Sequence, residues 1–469
     1  MNNFEVLIVG AGPSGLTLAV DLVKQGIKCI ILEKRTSIVS NLTRAFSVHA
    51  RTLELLHTRG FASQIRCKGR AVHSIPLLWG MHARFDHVPS LFPEMLVVPQ
   101  FEVEKVLLDK YKALGGEIMY DAEFIGLNQF ADGVSVQIRH AGLEQRLSAK
   151  YVVGADGHHS SVREAINVDF IGECILPSVI ISDAKIARPS ADPLTLVANK
   201  KGFVFIAPFG DDYHRVLSWD PELDPAQDRT HDFERLQLMV TNILGHDAGI
   251  YDPRWLSRFS SYECVAAKYK MGRVFLVGDA AHVHSPAGGL GMNLGIQDAI
   301  NLGWKLGSVI QDKAPETLLN SYEREMRPLG LQAVKESGKL IREATSRRGP
   351  VAAIKDGLLT SVAKIRPMKD LIERTLGASI SGTDLTMRSS KTQRFRPPVG
   401  TFAHELMQNE EVLDGLRSHK HVLVIPKGAS TRDEPILKKE HIRVELRHEF
   451  RGNQPRLLRP DGYIDVLEP

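Results

Sequence analysis

Cysteine is scarce in this sequence: four in 469 residues, Cys29, Cys67, Cys174 and Cys264. None belongs to a C-x-x-C pair or lies near histidine at zinc-ligand spacing, which excludes a disulfide scaffold and a structural metal. The four read as reduced, mostly buried thiols. Long hydrophobic runs are missing as well. The first apolar stretch, Val6–Gly10, follows Glu5 rather than a basic residue and is broken by Gly10, Gly12 and Pro13. It is too short for a signal peptide or a membrane span, so a cytoplasmic protein with no membrane partner is expected. Charge of one sign is also thin, and a net charge of +4 over the whole chain gives no reason to expect nucleic acid. With 43% hydrophobic and 24% charged residues the chain is neither disordered nor membrane-embedded. Its length suits about three domains that need no staple.

What is present begins at the N-terminus. Glu5-Val-Leu-Ile-Val reads as a strand buried on both faces, followed at once by Gly10-Ala-Gly12-Pro-Ser14-Gly15. Leu16, Ala19, Val20 and Val23 then recur at helical spacing, Gly26 closes the helix, and Lys28–Glu33 supplies a second strand. In this βαβ unit Gly10 allows the tight turn, Gly12 lets backbone approach a pyrophosphate, and Gly15 permits close helix–strand packing. Glu33 ends the second strand, where a carboxylate can accept hydrogen bonds from an adenosine ribose. These features point to a dinucleotide without separating NAD from FAD.

Two later motifs make that separation. Gly154-Ala-Asp156-Gly157-His-His159-Ser160 runs on to Arg163 and puts a strand-end acid beside a permissive glycine. Gly278-Asp279 opens a loop through His282, His284, Pro286, Gly288, Gly289, Gly291, Met292 and Asn293. Asp279 can accept from the hydroxyls of a ribityl chain, and the glycines let backbone lie against a flat ring. A helix from about Met292 to Gln311, with Ala299, Leu302, Leu306 and Ile310 on one face, would aim its free N–H groups at the ring's electron-accepting end.

The segment from Ile180 to Cys264 alternates apolar and polar residues, as in Phe203/Phe205 and Leu217/Trp219, which suggests an inserted antiparallel sheet. Arg396–Gly400 looks like a linker, and strands Val422–Ile425 and Ile442–Leu446 with a turn Arg459-Pro-Asp-Gly462 suggest a small α/β appendage.

On the three glycine/acid motifs, the chain from about Phe4 to Gly330 resembles the class A flavoprotein monooxygenases, aromatic hydroxylases of the para-hydroxybenzoate hydroxylase fold. Thr43–His49 matches a family segment whose arginine, here Arg44, contacts the flavin nucleotide. Val98–Leu107 matches one whose glutamine, Gln100, reaches the cofactor, and Tyr322–Pro328 resembles the family's helix-ending motif. The Arg44–Arg51 segment and the appendage look most similar to polyketide and rifamycin-type hydroxylases, which carry a thioredoxin-like C-terminal domain. No cysteine follows Cys264, so here that domain would have a packing role. His159 departs from the arginine or lysine common in relatives, so the cation that would meet a nicotinamide phosphate there is missing.

The resemblance implies an α/β fold. A Rossmann-like FAD-binding domain would span 1–175 and 265–375, with an antiparallel substrate sheet at 176–264 to which 71–99 contributes, and a thioredoxin-like domain at 391–469. It implies FAD held by Gly10, Gly12, Ser14, Gly15, Glu33, Lys34, Arg44, Gln100, Phe124, Asp156, Gly157, Asp279, Pro286, Gly288, Gly291, Met292 and Asn293, and no metal. NADPH or NADH would be a transient co-substrate, consistent with the lack of a second Gly-x-Gly-x-x-Gly. O₂ and a phenolic, polyketide or antibiotic-like aromatic would be the other partners, hydroxylation would proceed through a flavin C4a-hydroperoxide, and the protein would be a monomer or homodimer. Alternation makes Phe203, Phe205, Arg215, Leu217 and Trp219 candidates for the pocket, with Phe46 and His49 arriving from the flavin side. Arg215 is the candidate catalytic cation, since it could stabilise a phenolate. His282 and His284 fit either acid/base groups or loop residues that cap backbone. The competing reading is a flavoprotein that binds an aromatic ligand without turning it over. A halogenase is excluded because Trp79, Trp219, Trp255 and Trp304 stand alone.

Overall fold

Five parallel strands form the centre of the molecule, in the order Val274–Leu276, Leu143–Gly154, Asn3–Val9, Cys29–Leu32 and Glu117–Met119. The computed structural model describes residues 3–37, 45–77, 80–190, 194–210, 212–223, 229–345, 365–385, 387, 400–426, 442–446 and 456–465. Arg44, Trp79 and most of the expected linker at Arg396–Gly400 lie outside them. Val6, Leu7 and Ile8 are fully buried, which is why the first strand reads as an unbroken apolar run instead of alternating. An antiparallel hairpin, Ala122–Gln129 and Val134–His140, extends the sheet from the first half of Leu143–Gly154.

The first helix, Pro13–Lys24, starts with proline in its opening turn, where no amide hydrogen is needed. It packs on the helix Gly291–Ile310, which is buried over most of its length. Side chains at Gly295, Gly303 or Gly307 would meet Ser14 and Asp21 of the first helix and Gln25 just past its end, so small residues set that close approach.

The insertion is a six-stranded antiparallel sheet in the order Thr195–Asn199, Gly202–Pro208, His214–Trp219, Phe170–Ile186, Ile250–Ala266 and His282–Val283. Its two long strands run a few residues beyond the 176–264 span that the resemblance implies, and its last strand, His282–Val283, lies outside that span. Two 17-residue strands carry it, with irregularities in register at Cys174/Leu176, Leu176/Val179 and Asp183/Lys185. The helix Asp232–Leu244 covers one face, setting Leu236, Met239, Val240 and Ile243 against Ile180, Val204 and Val216. Within 71–99, Ala83, Phe85 and Val88 pack with Leu194 and Ala207 of this sheet.

At the C-terminal end, Val422–Pro426 pairs in parallel with Ile442–Leu446 and antiparallel with Arg456–Leu458, which continues to Ile464–Asp465. The expected turn is present, with the Gly462 amide donating to the Arg459 carbonyl at 2.8 Å. This unit is sealed onto the rest: Phe402, Leu406, Leu413 and Val422 belong to the same apolar cluster as the first sheet. The Trp304 indole donates to Asp461 at 3.1 Å, Arg459 pairs with Glu325 at 3.0 Å, and Lys305 pairs with Glu325 at 2.8 Å.

Two expectations need correction. Pro328 does not end a helix but lies inside the 26-residue helix Asn320–Thr345, whose Tyr322, Met326, Leu329 and Ala333 pack in the main apolar cluster on either side of it and offset the lost hydrogen bond. The four cysteines are all free, but only Cys29 and Cys264 are buried; Cys67 and Cys174 are exposed. Among the described residues no helix is long and apolar enough to cross a membrane, and no cluster of three His, Cys, Asp or Glu could hold a metal ion.

Candidate active site

A cavity of about 670 Å³ opens where the glycine turn, the Gly278–Asn293 loop and one face of the inserted sheet meet. The three fingerprint glycines do different work around it. Gly10 has φ +102°, and a Cβ there would lie 2.4 Å from the Ala155 carbonyl oxygen; one on Gly15 would lie 2.1 Å from the Gly10 carbonyl oxygen. Both are packing requirements. A Cβ on Gly12 would meet nothing within 4 Å, and Gly12, Pro13 and Ser14 line the cavity. The first-turn amides of the helix that begins there have no intrahelical acceptor.

Glu33 is turned toward that same loop. Its Oε2 accepts from the Ala11 amide at 2.9 Å, and its Oε1 accepts from the Arg35 amide at 2.8 Å and Arg35 Nε at 2.9 Å. Burial alone would raise the Glu33 carboxyl, but the hydrogen bonds from Arg35 and Ala11 outweigh it and hold the group below the usual carboxylate range. Lys34 is exposed. Phe124 is not brought to the cavity: its side chain is buried in the hydrophobic core.

Asp156 also serves the backbone. It accepts from Ser160 Oγ at 2.6 Å and from the Val162 amide at 3.1 Å, leaving Ala155 and Gly157 at the cavity wall. Arg163 ties this turn to the next motif by donating to the carbonyls of Ala280 at 2.9 Å and His158 at 2.8 Å. Gln100 lines the cavity, with Oε1 accepting from the Ala45 amide at 3.2 Å and Nε2 donating to Glu104 at 2.8 Å.

In the third motif Asp279, His284, Pro286, Gly289, Leu290, Gly291 and Met292 line the cavity, and the helix starts at Gly291, one residue earlier than the pattern suggests. Gly288 and Gly289 have φ of +82° and +64°, which L side chains rarely adopt. Asn293 holds the loop from behind, donating to the carbonyls of Ser47 at 3.0 Å and Gly289 at 2.8 Å while accepting from the His49 amide at 2.8 Å. His49 Nε2 lies 2.7 Å from the Gly288 carbonyl oxygen. His49 and Asn293 are therefore braces behind the loop, and neither lines the large cavity. Burial pushes the His49 imidazole down to about 4.

On the far wall Phe46 and Phe205 approach with ring centroids 5.3 Å apart, joined by Ile181 and Leu217. Arg215 also lines this wall, but its guanidinium is engaged by Asp183 through Nε at 2.8 Å and Nη2 at 2.9 Å and lies over the Phe209 ring. Trp219 and Phe203 stack on each other in a neighbouring apolar cluster and do not reach the cavity; the Trp219 indole donates to the Pro177 carbonyl at 3.0 Å. Arg258, Phe259 and Tyr262 line the cavity without having been singled out from the sequence. Alternation along Ile250–Ala266 puts Arg258 and Tyr262 on one face but Phe259 on the other, so the pattern alone would have found only the first two. Arg258 is paired with Asp232 at 2.9 Å.

The donors and acceptors suit FAD: open space over Gly12, two helix N-termini, the cavity-lining carboxylate Asp279, and a buried His284 Nε2 with no partner among the described residues. The family model described as an FAD binding domain matches residues 3–337. The chain belongs to the FAD-dependent aromatic monooxygenases. FAD is the cofactor of such a monooxygenase, and NAD(P)H is the usual co-substrate of the family. The monooxygenase is 34% identical over 74% of its length to a rifampicin monooxygenase of Streptomyces venezuelae, covering 73% of that protein. It is 30% identical over 99% of its length to an uncharacterised aromatic compound monooxygenase of Bacillus subtilis, covering 94% of it. Among solved structures it matches the OxyS anhydrotetracycline hydroxylase from Streptomyces rimosus with TM-score 0.84 and 28% identity, over 99% of this chain and 95% of that one.

Proposed function

We propose that this monooxygenase uses NAD(P)H and O₂ to hydroxylate a phenolic, polyketide or antibiotic-like aromatic compound. The observation that carries the reading is the convergence on one cavity of the Gly12 turn, the Asp279–Met292 loop and the Phe46–Phe205 wall. The names of the relatives, acting on rifampicin and on anhydrotetracycline, support a polycyclic substrate. Bound FAD would supply the redox chemistry, taking hydride from the nicotinamide and passing electrons to O₂.

The chain's own contributions follow from position. The Gly12 backbone and the first amides of Pro13–Lys24 would hold the pyrophosphate, with Glu33 fixing the shape of that turn. Asp279 would accept from the ribityl chain. The amides of Gly291 and Met292, at the positive end of their helix, would stabilise negative charge on the ring's pyrimidine side. Pro286 and the left-handed Gly288–Gly289 pair would leave room for a flat ring against backbone. Phe46, Phe205 and Leu217 would orient the aromatic substrate and keep water away from the reacting atoms. Arg215, immobilised by Asp183, would contribute a fixed positive potential at the substrate wall. In this reading residues 1–175 and 265–375 carry the cofactor, 176–264 carry the substrate wall, and 391–469 brace the cofactor helices.

The test is NAD(P)H consumption against a panel of phenolic, quinone and antibiotic compounds, with ¹⁸O₂ and mass analysis of products. The proposal expects at least one compound to accelerate oxidation and to gain one labelled oxygen atom. Tight binding of an aromatic compound with neither effect would favour the non-catalytic flavoprotein instead.

A further inference from the structure

Two histidines follow the Gly278–Asp279 turn, and they meet different surroundings. His282 is buried, with Nε2 2.6 Å from Asp298 Oδ2. His284 lines the cavity. Its Nδ1 lies 2.8 Å from the Ser285 carbonyl oxygen, which can only accept, so Nδ1 carries the proton and Nε2 keeps a lone pair. That Nε2 is buried and has no partner among the described residues. Buried polar atoms are nearly always bonded, so an orphan on the wall of a binding cavity marks the place of a ligand group.

The position is specific. A Cβ built on Gly291 would lie 3.6 Å from His284 Nε2 and 4.0 Å from Asp279 Oδ1, so imidazole and carboxylate flank the first residue of the helix Gly291–Ile310. Burial keeps this imidazole neutral, pushing it down to about 4. A neutral acceptor suits that spot, since a second carboxylate there would oppose the negative charge that the helix end favours on the reduced ring.

We propose that His284 Nε2 accepts a hydrogen bond from a ribityl hydroxyl of bound FAD, next to the hydroxyl that Asp279 accepts; this rests on FAD occupying the cavity. His284 is then a cofactor-contacting residue, and its neighbour His282 is a core residue.

Apoproteins of the wild type, His284→Leu and His284→Gln are titrated with FAD by flavin fluorescence, their melting temperatures are compared, and KM for an accepted aromatic is measured after reconstitution. His284→Leu is expected to raise the FAD dissociation constant about tenfold, the loss of one hydrogen bond, with the apoprotein melting as the wild type does. His284→Gln, whose carboxamide oxygen accepts, recovers most of the affinity. On the ligand side, an FAD analogue lacking only the ribityl hydroxyl assigned to His284, with the one assigned to Asp279 kept, loses a similar factor on wild type and nothing further on His284→Leu. Wild-type affinity in His284→Leu, no recovery in His284→Gln, or an aromatic KM that changes while FAD affinity does not, each overturns the proposal. Wild-type apoprotein that takes up no FAD would instead remove the cofactor reading beneath it.

Discussion

Glu33 and Ala11 are joined across 22 residues by a 2.9 Å hydrogen bond from the Ala11 amide to Oε2. The acid at the end of the second strand is thus a strut of the turn that precedes it. Glu33→Ala leaves that amide and Arg35 without their acceptor. We expect stability to fall by about 1–3 kcal/mol, read by urea unfolding, and the flavin-to-protein absorbance ratio to drop. Protein that purifies with full flavin content and an unchanged urea midpoint would show that the strut is dispensable.

The fingerprint glycines separate under alanine substitution. Gly10→Ala and Gly15→Ala drive a methyl into backbone at 2.4 and 2.1 Å, so the apoprotein should lose about 1–3 kcal/mol or fail to accumulate. Gly12 has φ −76°, and a Cβ there meets nothing within 4 Å, so alanine fits without strain. Gly12→Ala should melt like wild-type apoprotein yet bind FAD at least tenfold more weakly. Equal FAD affinity would place the pyrophosphate elsewhere.

His282 and Asp298 form a buried pair whose charge state depends on pH. Burial disfavours the imidazolium, but the Asp298 carboxylate outweighs it and the His282 pKa is raised above its ordinary value, with Asp279 adding to the effect. A raised folded-state pKa contributes stability that is fully present below the unfolded value of about 6.5 and is lost as pH climbs through the folded value. The stability gap between wild type and His282→Asn should therefore be widest near pH 6 and narrow above neutrality. A gap that grows with pH would contradict the pairing.

Arg215 and Asp183 make a bidentate pair in which both side chains are buried, and the Trp255 indole donates to the same carboxylate at 2.6 Å. Arg215→Met strands a buried carboxylate and should cost about 3–5 kcal/mol. Adding Asp183→Leu should restore part of that stability. If the double variant folds but loses coupling between NAD(P)H oxidation and product formation, the cation has a role in the reaction; coupling as in wild type assigns it to the sheet alone.

The parts of the site legible in the sequence are those where backbone geometry dictates residue type. Gly10, Gly15, Gly288 and Gly289 could be placed because close approach or positive φ admits little else. Asp279 was found for the same reason, as the acid that ends a buried strand. What escaped was how far along a strand the cavity extends. Trp219 lies two residues beyond Leu217 on the same face of one strand, yet Leu217 reaches the cavity and Trp219 stacks on Phe203 beyond its edge. Alternation specifies a face and says nothing of distance along the strand. The paired acids of Arg215 and Arg258 were also invisible, since Asp183 lies 32 residues from Arg215 and Asp232 lies 26 from Arg258. Pro328 inside a helix shows packing overriding a local breaker signal.

The Arg459–Gly462 turn has a consequence for biosynthesis. Asp461 receives the Trp304 indole, the Pro460 carbonyl receives Arg59, and Arg459 neutralises Glu325 beside Lys305, all of them buried. A ribosome must finish residues 459–461 before these earlier charges have their complete set of partners. Until then the half-made chain carries solvated ions where its nucleotide-binding core should close, and a fragment cut before this turn would expose the same ions permanently.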